Sequence, residues 1–114
     1  QTYTVQLVLS YAGDPPTAVK IPTTQIPVVF ELQQNYPNPF NPVTTIQYHL
    51  ANTNHVVLTV HDLLGRTIAT LVEKEQETGR YVVMFDASHL SSGIYFYTLR
   101  TNNFNATKKM LLVK

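Results

Sequence analysis

Apolar and polar positions alternate along most of this chain. Ile46, Tyr48 and Leu50 alternate with Thr45, Gln47 and His49, and Val56, Leu58 and Val60 alternate with Val57, Thr59 and His61. Tyr81, Val83 and Phe85 share one face of Arg80–Asp86, and Tyr95, Tyr97 and Leu99 alternate with Ile94, Phe96 and Thr98. A period of two is the signature of a half-buried strand, because successive side chains leave a strand on opposite faces. Thr67–Val72 reads as a further strand. In Thr107–Val113 the pattern turns Met110 and Leu112 inward and Lys109, Leu111 and Val113 outward. Turn signals separate these runs. Asp62-Leu63-Leu64-Gly65-Arg66 has Gly65 at the natural left-handed position. Glu73–Gly79 reads as a charged, exposed connection, Ala87–Gly93 as a turn, and Asn102-Asn103 as the closure of a hairpin. Val60–Leu64 is the only place where a short helical turn competes. The pattern predicts an all-β fold from Phe30 onward, an immunoglobulin-like antiparallel β-sandwich of about seven strands.

Ahead of that region the pattern changes. Val5, Leu7, Leu9 and Tyr11 share a face at period two, so residues 1–12 read as a strand. It is either the last strand of an upstream domain or one added to this domain. Residues 13–29 hold Pro15, Pro16, Pro22 and Pro27 among Thr and Gln. Proline lacks an amide donor and fixes φ, so this stretch is expected to be an extended linker rather than a sheet interior. If the chain is cut by a protease, the cut is expected within this accessible stretch, between Gly13 and Val29. The chain begins at Gln1 rather than Met and reads as a piece of a longer protein. Asn35-Tyr36-Pro37-Asn38-Pro39-Phe40-Asn41-Pro42 is different in kind. Asn35, Asn38 and Asn41 are suited to bond their own backbone, and Tyr36 and Phe40 are expected to pin an ordered turn cluster.

Composition narrows the chemistry. The 114 residues include no cysteine, which removes disulfides, thiol nucleophiles and cysteine zinc sites. A net charge of +1 offers no footprint for nucleic acid or an anionic membrane. His49, His55, His61 and His89 show no metal-ligand spacing with a carboxylate and read as surface residues, so neither metal nor cofactor is expected. Asp62 and Asp86 precede turns and are placed to accept backbone amides rather than to act as an acid/base pair. Ser88, Ser91 and Ser92 lie near His89 without a nucleophile elbow. Tyr95, Tyr97 and Phe85 form an aromatic stripe that could stack on sugars, although alternation assigns it to the core. Lys108, Lys109 and Lys114 are the one local charge bias. They read either as protection of an edge strand or as a recognition feature.

Residues Phe30–Pro42 closely resemble the opening of the type A C-terminal sorting domain of the type IX secretion system. The similarity continues through Thr44-Thr45-Ile46, Val56–Arg66 and Phe85–Ser88, and closes in Ser92–Tyr97 and Lys108–Lys114. His61 and Phe85 stand where the family usually has Tyr and often has Trp, and both keep a ring. The resemblance implies a non-catalytic address tag for an upstream cargo domain, secreted or placed on the cell surface by way of the periplasm. It implies as partners the outer-membrane translocon, shuttle and sortase components, with removal of the tag by the sortase. Gly93 and Tyr95 match the family's glycine-x-tyrosine motif, and Lys108, Lys109 and Lys114 match its basic terminal strand. A terminal edge strand is also suited to offer backbone pairing to a receptor. The competing readings are a carbohydrate-binding or adhesive β-sandwich retained on a secreted enzyme, and a structural spacer.

Overall fold

The alternation seen in the sequence becomes two facing layers. A computed structural model describes residues 18–21 and 29–114, and it contains strands but no helix among them. The strands are β1 (Val19–Ile21), β2 (Glu31–Leu32), β3 (Val43–Leu50), β4 (Asn54–His61), β5 (Thr67–Gln76), β6 (Gly79–Asp86), β7 (Gly93–Arg100) and β8 (Asn105–Leu112). One four-stranded sheet has the order β1-β6-β3-β2 and the other β5-β4-β7-β8, with every strand pair antiparallel. The all-β expectation holds, and the two sheets form a β-sandwich. The strands from β2 to β8 match the expected number, and β1 adds an eighth.

The inward positions are those that alternation assigned. Ile46, Tyr48, Leu50, Val56, Leu58, Val60, Val83, Tyr97, Leu99, Met110 and Leu112 are completely buried, and Phe40 and Phe85 nearly so. A register shift between Leu58 and Thr59 leaves Leu71 as an extra residue on β5. Such a bulge lets Leu71 and its neighbour Val72 both be buried, which strict alternation forbids.

Four tyrosine hydroxyls tie the connections to the core. Tyr48 donates to Gln76 Oε1 at 2.6 Å, and Tyr97 donates to Gln33 O at 2.7 Å. Tyr81 donates to Glu77 O at 2.8 Å and Tyr95 to Ser91 O at 2.7 Å, each reaching back four residues from its strand in a tyrosine-corner arrangement. Burial pushes the Tyr97 hydroxyl up to about 12, with the Asn35 amide opposing, so it stays a neutral hydrogen-bonding group at ordinary pH.

Several expectations need correction. Glu73–Gly79 is not a loop of that length, because β5 runs to Gln76 and only Glu77 and Thr78 connect it to β6. Gln76 is buried against the Tyr48 hydroxyl, which extends the strand, while Glu73, Lys74 and Glu75 stay exposed as charges on an edge strand. Val19–Ile21 lies inside the stretch expected to be linker. It is extended and pairs with Arg80–Val82 as a sheet edge, while residues 13–17 and 22–28 of that stretch lie outside the described residues. His49 is buried rather than at the surface, with its Nδ1 3.1 Å from Glu31 Oε1. Val60–Leu64 forms strand and turn. The strand expected over residues 1–12 lies outside the described residues.

Strand direction gives the sandwich two distinct ends. β3, β5 and β7 begin at one end, where β4, β6 and β8 finish. At that end stand the Asn35–Pro42 cluster, the Asp62–Arg66 turn, the Ala87–Ser92 connection and Val113-Lys114. At the other end the chain enters β2 and makes the connections 51–53, 77–78 and 101–104.

Candidate functional site

The end that holds the Asn/Pro cluster is built by loops bonded to one another. After β2 the chain stays against β3 as far as Tyr36, whose backbone exchanges hydrogen bonds with Thr45, and then reaches across to β8. Phe40 N–H donates to Leu111 O, and Val113 N–H donates to Phe40 O, both at 2.9 Å, in a parallel bridge. Asn38 Oδ1 accepts the Leu111 amide at 2.9 Å, and Gln34 Nε2 donates to Lys109 O at 2.7 Å. The Tyr36-Pro37, Asn38-Pro39 and Asn41-Pro42 peptides are all cis. The chain then returns to the first sheet, and Ala87 N–H donates to Pro42 O at 2.8 Å, joining the cluster to the β6–β7 connection.

Asn35 organises this crossing. Its backbone N–H donates to the Tyr97 hydroxyl at 2.7 Å, and its Nδ2 donates to Thr44 Oγ1 at 2.9 Å and Pro37 O at 3.1 Å. Thr44 Oγ1 donates to Pro37 O at 2.8 Å. Asn35 and Thr44 are buried, and their polar atoms find partners within the cluster. Asn35 therefore fulfils the expected local bonding, whereas Asn38 bonds to the distant strand β8. Phe40 pins the cluster, being 2% exposed and 6.4 Å from Phe85 between ring centroids. Tyr36 does not, since 81% of its surface is exposed.

The other predicted site residues take distinct places. Gly65 has φ +82° and closes the Asp62–Arg66 turn, a conformation that side chains disfavour. Gly93 opens β7 opposite Leu112, and Tyr95 lies buried opposite Met110. The glycine-x-tyrosine pair thus holds the Ala87–Ser92 connection through the Tyr95–Ser91 bond and presents no aromatic face. Lys109 is exposed on the outer face of β8, opposite Phe96. Lys108 is half-buried at the inner-face edge, opposite Tyr97. Lys114 is docked. Its Nζ donates to Ser88 O at 2.6 Å and Leu90 O at 2.8 Å, and its N–H donates to Ser92 Oγ at 2.9 Å. The three lysines therefore occupy three environments and form no single basic patch.

One expectation about β8 changes. Gln34, Asn38 and Phe40 already take the outward backbone groups at Lys109 O, Leu111 and Val113 N, so this half of β8 offers no free edge for pairing. Tyr95, Tyr97 and Phe85 are buried in the core, as alternation indicated, and leave no stacking face for a sugar. Sequence reading did not identify Thr44 as a cluster hub. Its place at the start of β3, amid a polar run, gave no sign that it would be fully buried.

Asp62 and Asp86 cap turns as their positions indicated. Asp86 Oδ1 accepts Ser88 N–H at 2.9 Å. Asp62 Oδ1 accepts the amides of Leu64 and Arg66 at 2.9 and 3.0 Å, and Arg66 Nε donates to Asp62 Oδ2 at 2.7 Å. Desolvation acts to raise the Asp62 carboxyl, but the Arg66 amide and guanidinium and the Leu64 amide together hold it below the usual carboxylate range. Among the described residues, no three histidine or carboxylate side chains converge as metal ligands, and no helix is long and apolar enough to cross a membrane.

Comparison with known proteins adds one match. Residues 34–114 match the family model described as a secretion system C-terminal sorting domain. No curated protein and no solved structure matches the chain.

Proposed function

This chain belongs to the family of type IX secretion system C-terminal sorting domains, and from that premise we propose that residues 30–114 are read as a folded export tag at the end of the sandwich where the motifs converge. Membership marks the chain for passage through the periplasm to the cell surface or the medium. Sorting domains of this family are signals, not catalysts.

The observation that carries this reading is the convergence itself. The Asn35–Pro42 cluster, the Asp62–Arg66 turn, the Ala87–Gly93 turn and the end of β8 are far apart in sequence and meet at one end. The Pro42–Ala87, Asn38–Leu111 and Lys114–Ser88 bonds tie three of them to each other. Folding alone does not require every distinctive segment to lie together, whereas recognition by a translocon, shuttle or sortase does. In this reading Tyr95 and Lys114 position the Ala87–Gly93 turn, Lys109 faces the machinery from the outer face of β8, and Lys108 adds charge at its other face. The cargo precedes the tag, and residues 1–12 belong either to that cargo or to an added strand. Sortase removal takes place within 13–29, outside the short β1 pairing.

The test is export. A periplasmic reporter carrying the 114-residue chain at its C-terminus should leave a host that has the type IX system and stay in the periplasm of one that lacks it. N-terminal sequencing of any released fragment should find a cut between Gly13 and Val29. A cut after Phe40 would contradict the proposed boundary.

A further inference from the structure

Five of the six large hydrophobic side chains exposed among the described residues lie at the motif end: Tyr36, Leu63, Leu64, Leu111 and Val113, with Val29 the exception. Leu63 and Leu64 stand out among them. They occupy the tip of the β4–β5 turn with 66% and 77% of their surface exposed, and neither belongs to the core cluster. The sandwich closes without them, so packing does not account for two leucines in a five-residue turn.

The turn that carries them is rigidly held. Gly65 N–H donates to Asp62 O and Asp62 N–H to Arg66 O, both at 3.0 Å. Asp62 Oδ1 takes the Leu64 and Arg66 amides, and Asp62 Oδ2 takes Arg66 Nε. Two apolar side chains are therefore displayed on a backbone that has little left to order when a partner arrives, which lowers the entropic cost of docking. The charges of the turn neutralise each other, because the Arg66 guanidinium is paired with the Asp62 carboxylate at 2.7 Å.

We infer that Leu63 and Leu64 form an apolar plug that inserts into an uncharged apolar pocket on a protein of the export machinery. The inference rests on the sorting reading and names the chemistry of one contact within it. The tip is continuous with the end proposed for recognition, and its internal ion pair leaves the turn without net charge to attract an anionic lipid headgroup. A lipid-binding tip combines apolar groups with such cations. A small rigid knob without net charge suits a preformed pocket instead.

The experiment compares three reporter fusions to the 114-residue chain in an exporting host: wild type, Leu63→Ser with Leu64→Ser, and Leu63→Met with Leu64→Met. The serine pair lies outside the core and should melt within about 4 °C of wild type. Its export should fall at least about tenfold, with the fusion held in the periplasm, because two buried leucine contacts are lost. The methionine pair keeps apolar plugs and should export within about threefold of wild type. Should the serine pair fail to fold, Leu64→Gln alone carries the same expectation. Normal export of a folded serine variant, beside an exported wild type, overturns the plug and leaves the sorting reading standing. A wild-type fusion that is not exported brings down both. Flotation with phosphatidylethanolamine/phosphatidylglycerol vesicles supplies a second readout. Wild-type protein should remain unbound, and flotation that requires Leu63 and Leu64 would assign the tip to lipid and overturn the pocket.

Discussion

The two ends of this sandwich are finished differently. At the far end, the loop backbone bond from Thr101 to Phe104 stays within one connection, and side chains make the links from one connection to the next. Asn54 donates to Asn103 Oδ1 at 2.9 Å and accepts the Asn102 amide, Thr78 donates to Leu50 O, and Phe30 stacks on Phe104 at 5.7 Å. Of the six large hydrophobics exposed among the described residues, only Val29 lies there. At the motif end, loops from both sheets are cross-tied, and the remaining five face solvent. A polar, self-satisfied rim is what solubility requires. An end whose loops are tied by backbone bonds and which is also more apolar at its surface is costly in water, and it fits the recognition surface proposed above. Tying and display go together there, since a rigid loop presents its side chains in one arrangement.

The largest test of this contrast is a pair of phenylalanines. Phe40→Ala removes a buried ring from the motif end and should cost about 3–5 kcal/mol, enough to leave a domain of this size barely folded. Phe30→Ala at the far end removes a half-buried ring and should cost markedly less. Chemical denaturation measures both. Equal losses would erase the difference in how the two ends are held.

Tyr97→Phe comes next. It deletes only a hydroxyl, yet it strips the Asn35 amide and the Gln33 carbonyl of their partner. Leaving buried groups unpaired should cost about 2 kcal/mol, with the melting temperature falling by about 8–16 °C. A shift of under about 2 °C would mean that the crossing is held by Phe40 alone.

The far end should answer to pH. His49 lies between Glu31 on β2 and Arg80 on β6. Desolvation, and then Arg80, push its ring below the usual histidine value of 6.5, with Glu31 opposing. The folded state therefore binds a proton less readily than the unfolded chain. The stability contributed by neutral His49 is complete above about pH 6.5 and is lost as pH falls from there towards its lowered folded value. Unfolding curves between pH 7.5 and 5 should show this loss, and His49→Gln should flatten it. An unchanged slope in the variant would remove His49 as its source.

The smallest effect on stability belongs to the lysines of β8. Lys108→Ala with Lys109→Ala should change stability by less than about 0.5 kcal/mol while lowering export if Lys109 faces the machinery. Unchanged stability together with unchanged export would return both lysines to the role of edge-strand charges. Lys114→Met sharpens the comparison, because removing the Nζ strips two acceptors of their donor at once, the carbonyls of Ser88 and Leu90. Hydrogen exchange in residues 87–93 should rise in that variant and stay unchanged in the Lys108/Lys109 pair.

Alternation by itself determined β3, β4, β6, β7 and β8, their core-facing residues and the burial of Met110, Leu112, Tyr95 and Tyr97. That information is local, since a period of two assigns a side chain to a face whichever strand becomes its neighbour. Turn chemistry was local too, so Asp62, Gly65 and Asp86 took their expected places. The family was also legible, because its motifs are ordered along one chain. Partnership across the fold was not. That Asn38 reaches the Leu111 amide, that Thr44 is buried under Asn35, that Lys114 caps the Ser88 and Leu90 carbonyls, and that Gln76 extends β5 beneath the Tyr48 hydroxyl all depend on which segments the two sheets bring face to face. A hydrogen bond between residues 73 or 26 positions apart leaves no periodic trace in either segment. Most of the long strands were therefore written in the sequence, while the gathering of the motifs at one end, and the two leucines displayed there, were decided only when the sheets packed.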